Sequence, residues 1–216
     1  MPDDSTSHVP AGQRPVSSDN PCPFLRALVA GGYVGGHIVP LSEICRRIEA
    51  ASGEHGVTKT VVGIKSYLVA VGANGLGPLS LIRSATSGAV LDELRNGPLD
   101  KHGAGSRILD ATAHVHEDEI DRLANFGQDC KDPSGGTERG LTARQIDAFM
   151  AANLARAGDA ARFYYPLLMQ GEWPVLFKIM GKGVGEARYL SVAEVRTLFV
   201  ERRFPDRIVA LLSQRS

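Results

Sequence analysis

The chain has 216 residues, 24 basic and 24 acidic side chains with a formal net charge of zero, and three cysteines. A chain of this length forms one domain, or two, around a core that needs no disulfide to hold it together. The balanced charge argues against a nucleic acid or an acidic membrane surface as a partner. The sequence contains no run of 18 apolar residues, which argues against a membrane-spanning helix. The odd number of cysteines, with no C-x-x-C pair, argues against a disulfide framework.

The first 19 residues are polar and rich in Ser, Asp, Pro and Gly. Such a composition cannot bury enough apolar surface to order itself, so we expect a flexible tail at residues 1–19. The segment also lacks the apolar stretch of a signal peptide, which indicates a cytoplasmic location. Residues 20–216 are expected to form one domain.

Apolar spacing predicts two helices directly after this tail. The first begins near Phe24 and ends at the glycines of AGGYVGG. The second lies in PLSEICRRIEAAS, with Ser42 as its N-cap. The next segment, TKTVVGIKSYLVAVGANG, fits a strand by its β-branched residues and a buried helix by its apolar spacing, and we favour the helix. The segment after it, LSLIRSATSGAVLDELRNG, is broken at Gly88.

The second half of the chain predicts loops separated by helices. Residues 97–108 and the segment KDPSGGTERG are rich in turn residues, while RILDATAHVHEDEIDRLANFG between them can be helical. Thr142 caps a helix in ARQIDAFMAANLARAG, and the largely apolar ARFYYPLLMQGEWPVLFKIMG follows it. SVAEVRTLFVERRFPDRIVALLSQR then supplies a capped helix, a break at Pro205 and a last helix. No repeat period is evident, and the whole predicts a mostly α fold with few or no strands.

Cys22 stands between two prolines at the start of the first predicted helix. Pro21 and Pro23 fix two backbone φ angles, so the thiol is held on a stiff corner leading into a helix N-terminus. A helix N-terminus favours an anion, and a thiolate there suits a nucleophile or a metal ligand. An inert turn residue is the plainer interpretation.

The opening of the predicted domain resembles the haem-thiolate peroxidases and peroxygenases, the chloroperoxidase-like family. The resemblance rests on Pro21-Cys22-Pro23 followed by Leu25 and Leu28, on Gly32-Tyr33 and on Pro40. It implies a single-domain helical haem-binding fold over residues 20–216, with Cys22 as the axial thiolate ligand of haem b iron. Pro21, Pro23, Phe24 and Leu25 are then expected to contact the cofactor. The chain departs from the family in having Leu25-Arg26 where Leu-Asn is usual, and Ala30-Gly31 before Gly32-Tyr33.

The segment QGEWPVLFKIMGKGVGEARYLSVAEVRTLFVERRFPDRI is similar to the C-terminal part of the same family. The family's distal acid-base glutamate corresponds to Glu172. Independently of the resemblance, Glu172 is the sole ionisable group between Arg162 and Lys178 and is flanked by aromatic and aliphatic residues. Such surroundings would raise the pKa of its carboxyl group, as a proton shuttle requires. A glutamate at a helix surface with its head in water is the alternative.

The acidic stretch HVHEDEID is the nearest match to the family's cation-binding motif. The resemblance implies a Mg²⁺ ion with Glu117 and Asp118 as preferred ligands, although the order of residues differs from the family's. A solvated helix face is the plainer interpretation of such a run. Family members also place a cationic group near the distal glutamate, and His116 is our first candidate for that role, with Arg162 the second.

The resemblance therefore implies a haem-thiolate peroxidase or peroxygenase. Such an enzyme uses hydrogen peroxide to oxidise or oxygenate a small organic substrate, apolar or aromatic, with no nucleic acid or membrane partner and with a homodimer left open. One alternative is a non-enzymatic helical haem-binding or sensor protein. Another is a helical interaction domain without a cofactor. The C-terminal half also resembles caleosin distantly, but no EF-hand calcium loop occurs in the chain.

Overall fold

The structure is a computed structural model, and it describes residues 12–53, 88–96, 105–158 and 165–214. Within these ranges the mostly helical prediction is confirmed, with a few short strands in addition. The helices are α1 Pro23–Ala30, α2 Leu41–Ser52, α3 Glu117–Phe126, α4 Ala143–Ala157, α5 Tyr165–Met180, α6 Val192–Phe199 and α7 Asp206–Ser213, and two 3₁₀ segments are Leu91–Asn96 and Gly185–Ala187. The strands are β1 Ile38–Val39, β2 Ala89–Val90, β3 Gln128–Lys131, β4 Thr137–Leu141 and β5 Leu190–Ser191.

The strands form two small antiparallel sheets. In the first, β1 pairs with β2, with Ile38 opposite Val90. Gly88 precedes β2 with φ +90°, and a Cβ atom there would lie 2.3 Å from the Val39 carbonyl oxygen. Glycine is therefore required at position 88, where the sequence predicted a break, both by the close approach of the Val39 backbone and by the left-handed conformation.

The second sheet has the strand order β3-β4-β5. One prediction was wrong in this region. The segment KDPSGGTERG, predicted as a loop, instead holds the end of β3, a turn and most of β4, with Lys131 opposite Thr137. β4 then pairs through Gly140 and Leu141 with Ser191 and Leu190 of β5. The sequence of the hairpin shows little alternation between apolar and polar residues, and five of its nine strand residues are exposed.

The C-terminal half is built from two related units that meet at this sheet. In the first unit α3 leads through the hairpin into α4, and in the second α5 leads through β5 into α6. Each strand runs directly into a capped helix with the pattern Leu-Thr/Ser-x-x-Gln/Glu-Ile/Val, as LTARQI at 141–146 and LSVAEV at 190–195. α3 packs against α6, and α4 packs against α5, so the helices of the two units interlock. This shared pattern is short, and no repeat period is evident in the sequence as a whole.

Most helix starts in this half confirm the sequence signals. Thr142 and Gln145 form a capping box on α4, and Ser191 accepts a hydrogen bond from the Glu194 N–H at the start of α6. Pro205 stands directly before α7, as expected. The prediction that Ser42 caps α2 is wrong, because Pro40 is the N-cap and its carbonyl accepts bonds from Glu43 and Ile44.

Two further predictions can be compared with the structure. RILDATAHVHEDEIDRLANFG is helical only from Glu117 onward, and the part before it is a loop closed by a bridge between Leu109 and Val115. Residues 58–75, for which both a helix and a strand fit the sequence, lie outside the described residues. Within the described ranges, no helix combines the length and the apolar character that crossing a membrane requires.

A half-buried lysine joins the two C-terminal units, in what we call the Lys182 network. Lys182 Nζ contacts Asp132 and lies 2.5 Å from Glu138 Oε1. Glu138 also accepts hydrogen bonds from Tyr189 at 2.6 Å and from Ser191 at 2.7 Å. Burial acts to raise the pKa of Glu138, but the hydrogen bonds from Lys182, Tyr189 and Ser191 lower it. The network holds the hairpin against β5.

The N-terminal helices pack on this half through one continuous core. α1 lies against α6, and α2 lies against α5 and α7. Phe204 joins the two parts of the chain, since its ring contacts Phe24 at 5.0 Å and Tyr33 at 6.3 Å between centroids.

The described part of the predicted tail contacts these helices. The Arg14 N–H donates to the Ala30 carbonyl, Val16 packs on the core, and the Gln13 side chain donates to the Glu201 carbonyl. Residues 12–19 are therefore tied to the fold by these bonds despite their polar composition. Residues 1–11 lie outside the described residues.

Candidate site at Cys22

Cys22 is the N-cap of α1, as its place between two prolines predicted. Its backbone is extended, with φ −87° and ψ 112°, and Pro23 is the first residue of the helix. The Cys22 N–H donates to Asn20 Oδ1 at 3.1 Å, and the Cys22 carbonyl accepts the first helical bond, from the Arg26 N–H at 3.0 Å. The residue is half-buried, and all three cysteines of the chain are thiols. The corner therefore presents a partly accessible sulfur at a helix N-terminus.

Arg26 lies one helical turn after Cys22 and is 3% exposed. Its NH1 group donates to the carbonyls of Ser17 at 2.9 Å and Asn20 at 3.2 Å. Burial lowers the pKa of Arg26 to about 10, and the neighbouring guanidinium groups of Arg202 and Arg95 act in the same direction. The Cys22 thiol acts in the opposite direction, which means that its negative form and the Arg26 cation stabilise each other.

Arg95 links this corner to the loop before α3. Its Nε donates to the Ser18 carbonyl at 2.7 Å, and its NH2 donates to the Asp110 carbonyl at 2.5 Å. Its backbone N–H donates to the Asp19 carbonyl at 3.1 Å. Arg95 and Arg202 both act electrostatically on Arg26, so positive charge gathers near the start of α1.

His116 lies at the other end of this link, as the N-cap of α3. Its Nε2 is 3.2 Å from Asp110 Oδ2, and its ring contacts His114 edge-on at 5.1 Å between centroids. Burial acts to raise the pKa of Asp110, but hydrogen bonds from Thr112, His114 and His116 lower it to about 2. His116 is therefore bound to a carboxylate of its own loop.

The proposed distal residue, Glu172, lies near the middle of α5. Tyr165, Met169, Trp173 and Leu176 of this helix are buried, and Trp173 meets the Phe149 ring at 5.5 Å between centroids. The side chain of Glu172 lies outside the described part of the structure, as does the whole of Arg162. The backbone thus puts Glu172 on a helix that contributes heavily to the core, and its protonation role stays a prediction.

The acidic stretch at the start of α3 is engaged in ion pairs with neighbouring helices. Glu117 contacts Arg196, which also donates to Asp121 at 2.9 Å. Asp118 is exposed. Across the ranges that the structure describes, no three His, Cys, Asp or Glu side chains come together as metal ligands. These contacts favour the interpretation of a helix surface over that of a Mg²⁺ site at Glu117 and Asp118.

Comparison with models of protein families, with curated proteins and with solved structures gave no match. Proposals about function therefore depend on the geometry described above and on the sequence resemblance.

The residues around Cys22 fit the polar side of a haem group. Haem carries two propionate carboxylates besides its iron, and Arg95 and Arg202 are cations that act on Arg26, one helical turn after the candidate sulfur ligand. Asn20 is 1% exposed, and its Nδ2 has no hydrogen-bond acceptor among the described residues, so the corner holds a donor to spare. Phe24 and Leu25, predicted as haem contacts, are buried in the core, whereas Pro21 and Pro23 are half-buried beside the thiol.

Four residues of this site were missed by sequence reasoning: Asn20, Arg26, Arg95 and Arg202. Arg26 could have been found, because a residue four positions after a helix N-cap lies directly beneath it. Arg95 and Arg202 come from distant parts of the chain and carry no local signal. Only the folded chain brings their charges to Arg26 at the start of α1.

Proposed function

We propose that the protein is a haem-thiolate peroxidase or peroxygenase in which Cys22 provides the iron ligand. The observation that carries this proposal is the half-buried Cys22 thiol at the N-cap of α1, beside the Arg26 guanidinium. A thiolate ligand needs a deprotonated sulfur, and both the helix N-terminus and the arginines favour that form. Thiolate-ligated haem would supply the cleavage of the peroxide O–O bond and the oxidation of a small apolar or aromatic substrate.

The chain's own residues would divide the remaining tasks. Asn20 fixes the Cys22 backbone through its hydrogen bond, and Pro23 fixes the direction in which the helix leaves. Arg26, buried and held by two carbonyls, stabilises the negative sulfur without competing for it as a ligand. Glu172 would take a proton from one oxygen of hydrogen peroxide and return it to the other, so that water leaves.

The first test compares optical spectra of the purified protein, reduced and exposed to carbon monoxide. The wild-type protein should show the red-shifted Soret band of a thiolate-ligated ferrous carbonyl complex. Cys22→Ser should lose that band, while Cys45→Ser, which changes a buried thiol on α2, should keep it. A colourless wild-type protein made with ample haem would refute the proposal, as would an unchanged band in Cys22→Ser.

The second test concerns Glu172. Glu172→Gln should keep the carbonyl spectrum but slow peroxide consumption by about 10²-fold or more, the usual loss for a general acid-base group. Glu186→Gln, on the exposed 3₁₀ segment after α5, is the matched control and should react at the wild-type rate. Equal rates in Glu172→Gln and the wild type would remove Glu172 from the mechanism.

A haem-binding protein without peroxide turnover is the second candidate. The observation that favours it is the contact of His116 with Asp110. His116 is our first candidate for the cation that assists Glu172, and a histidine bound to Asp110 is less available for that role. Oxidation of a generic phenol with hydrogen peroxide separates the candidates. A protein with the thiolate spectrum but no phenol turnover would be the sensor.

A further inference from the structure

A second group of arginines lies between α3 and α4, remote in sequence from Cys22. We call it the α3–α4 basic cluster, and it consists of Arg107, Arg122 and Arg156 with Glu119 and Asn153. Arg122 and Glu119 stand on α3, while Asn153 and Arg156 stand on α4. The haem proposal does not use this group.

Two buried donors of the cluster have no hydrogen-bond acceptor among the described residues. Arg122 NH1 donates to Asn153 Oδ1 at 2.5 Å. Arg156 forms a two-pronged pair with Glu119, through NH1 at 2.6 Å and NH2 at 2.9 Å. Asn153 Nδ2 and Arg156 Nε are both buried, and neither has a partner among the residues that the structure describes. A buried donor left unsatisfied is costly, so these two call for an acceptor.

The charges of the cluster are also unbalanced. The guanidinium groups of Arg122 and Arg156 share the carboxylate of Glu119. Burial lowers the pKa of Arg122, and Arg156 and Arg107 act in the same direction, whereas Glu119 opposes them. The surroundings of Arg122 therefore favour an additional negative charge.

The two unsatisfied donors lie on one face of α4. Asn153 and Arg156 are three residues apart, so their side chains are neighbours on the helix surface. Asn153 is 0% exposed, while the side chains of Arg122 and Arg156 are partly exposed. The Arg122 guanidinium is held over the rings of Phe126 and Phe149, at 5.5 Å and 5.4 Å from their centroids. The Arg122 guanidinium is thus held in place beside the two buried donors.

We propose that the α3–α4 basic cluster binds a small oxyanion, of the carboxylate or phosphate type, whose oxygens accept hydrogen bonds from Asn153 Nδ2 and Arg156 Nε. A water molecule could accept from the same two donors, but it is neutral, whereas Arg122 and Arg156 share the Glu119 carboxylate and leave positive charge to be offset. An oxyanion brings only acceptors, and it offsets the excess positive charge.

The test measures thermal unfolding of the full chain with inorganic phosphate, acetate or chloride, at constant pH and ionic strength. Phosphate or acetate should raise the melting temperature in a saturable way, because a ligand that binds the folded state stabilises it. The stronger of the two identifies the oxyanion type. Stabilisation by chloride alone would overturn the proposal, since a halide does not supply two oxygen acceptors, and so would no stabilisation by any of the three, which leaves bridging water as the acceptor.

Two variants remove one donor each. Asn153→Asp keeps the acceptor for Arg122 but loses Nδ2, and Arg156→Lys keeps the positive charge but loses Nε. Each should weaken binding of the oxyanion at least about tenfold, the usual loss for a hydrogen bond to a charged group. Arg139→Lys, which changes an exposed arginine of β4, is the matched control and should bind as the wild type does. Equal affinity in all variants would mean adventitious binding and would overturn the proposal.

A spectroscopic measurement on the wild-type protein serves if either variant fails to fold. The side-chain ¹⁵N–¹H resonances of Asn153 Nδ2 and Arg156 Nε should shift together as the oxyanion is added. Unshifted resonances at saturating phosphate and acetate would refute the site. This readout is independent of haem, so it stands or falls separately from the function proposed for Cys22.

Discussion

The Lys182 network and the surroundings of Cys22 are both partly buried polar clusters, but they use their charges differently. In the Lys182 network, the ammonium group meets two carboxylates, and Glu138 binds Tyr189 and Ser191 as well. At Cys22, the buried Arg26 is held by backbone carbonyls, and Asn20 Nδ2 has no acceptor in the described part of the chain. In the first cluster the charged groups pair with one another, which stabilises the fold. In the second a buried donor has no acceptor among the described residues, which is the pattern expected of a binding site.

The largest effect that this comparison predicts is on Glu138. Glu138→Ala should lower the free energy of unfolding by about 3 kcal/mol, because it leaves the Lys182 ammonium and two hydroxyl groups short of an acceptor. Glu138→Gln keeps an acceptor for one hydroxyl and should lose less. Denaturant titration followed by circular dichroism measures both. A loss below about 0.5 kcal/mol in Glu138→Ala, the range of ordinary surface substitutions, would show that the network contributes little to stability.

A smaller effect is expected for Arg26. Arg26→Met should change the free energy of unfolding by no more than about 1 kcal/mol, because the lost hydrogen bonds to two carbonyls are offset by removing a buried charge. The same variant should weaken the thiolate carbonyl spectrum. Arg46→Met, at an exposed position of α2, is the control for both measurements. A large destabilisation with an unchanged spectrum would show that Arg26 stabilises the fold and does not act on Cys22. The difference proposed between Arg26 and the Lys182 network would then be wrong.

The smallest effect concerns pH and Asp110. Its folded-state pKa of about 2 lies below the ordinary 3.8, so its ionised form stabilises the folded state at higher pH and this contribution is lost as the pH falls toward 2. The side chain is about one-third exposed, so we expect only a modest change. Asp110→Asn should flatten the fall of stability between about pH 4 and pH 2. Asp118→Asn, an exposed change on α3, is the control, and identical slopes in Asp110→Asn and the wild type would contradict the prediction.

The parts of the fold that the sequence predicted well are those with local signals. Thr142 with Gln145, Ser191 and Pro205 mark helix starts that the structure confirms. Ser42 failed as a cap because Pro40, which has no N–H of its own to satisfy, already ends the extended segment two residues earlier. The β3–β4 hairpin was missed because its strands alternate too little between apolar and polar residues.

The same distinction holds for the candidate site. The stiff corner at Cys22 is encoded by its two neighbouring prolines, and the structure confirms it as the start of α1. The positive surroundings depend on Arg95 and Arg202, which reach the corner only after the chain has folded. The sequence pattern shared by the two C-terminal units is too short to be recognised by itself. The pairing of β4 with β5 in the structure is what shows that the two segments correspond.

That pairing has a consequence for the order in which the chain folds. The β3–β4 hairpin closes a short turn at residues 132–136, which costs little chain entropy and occurs on the time scale of local structure. β4 and β5 are separated in the sequence by the whole of α4 and α5. Because contacts between distant parts of the chain form slowly, we expect this pairing to form more slowly than the hairpin. We therefore expect the hairpin to form early as a template, and the Lys182 network to close last and fasten the second unit onto the first.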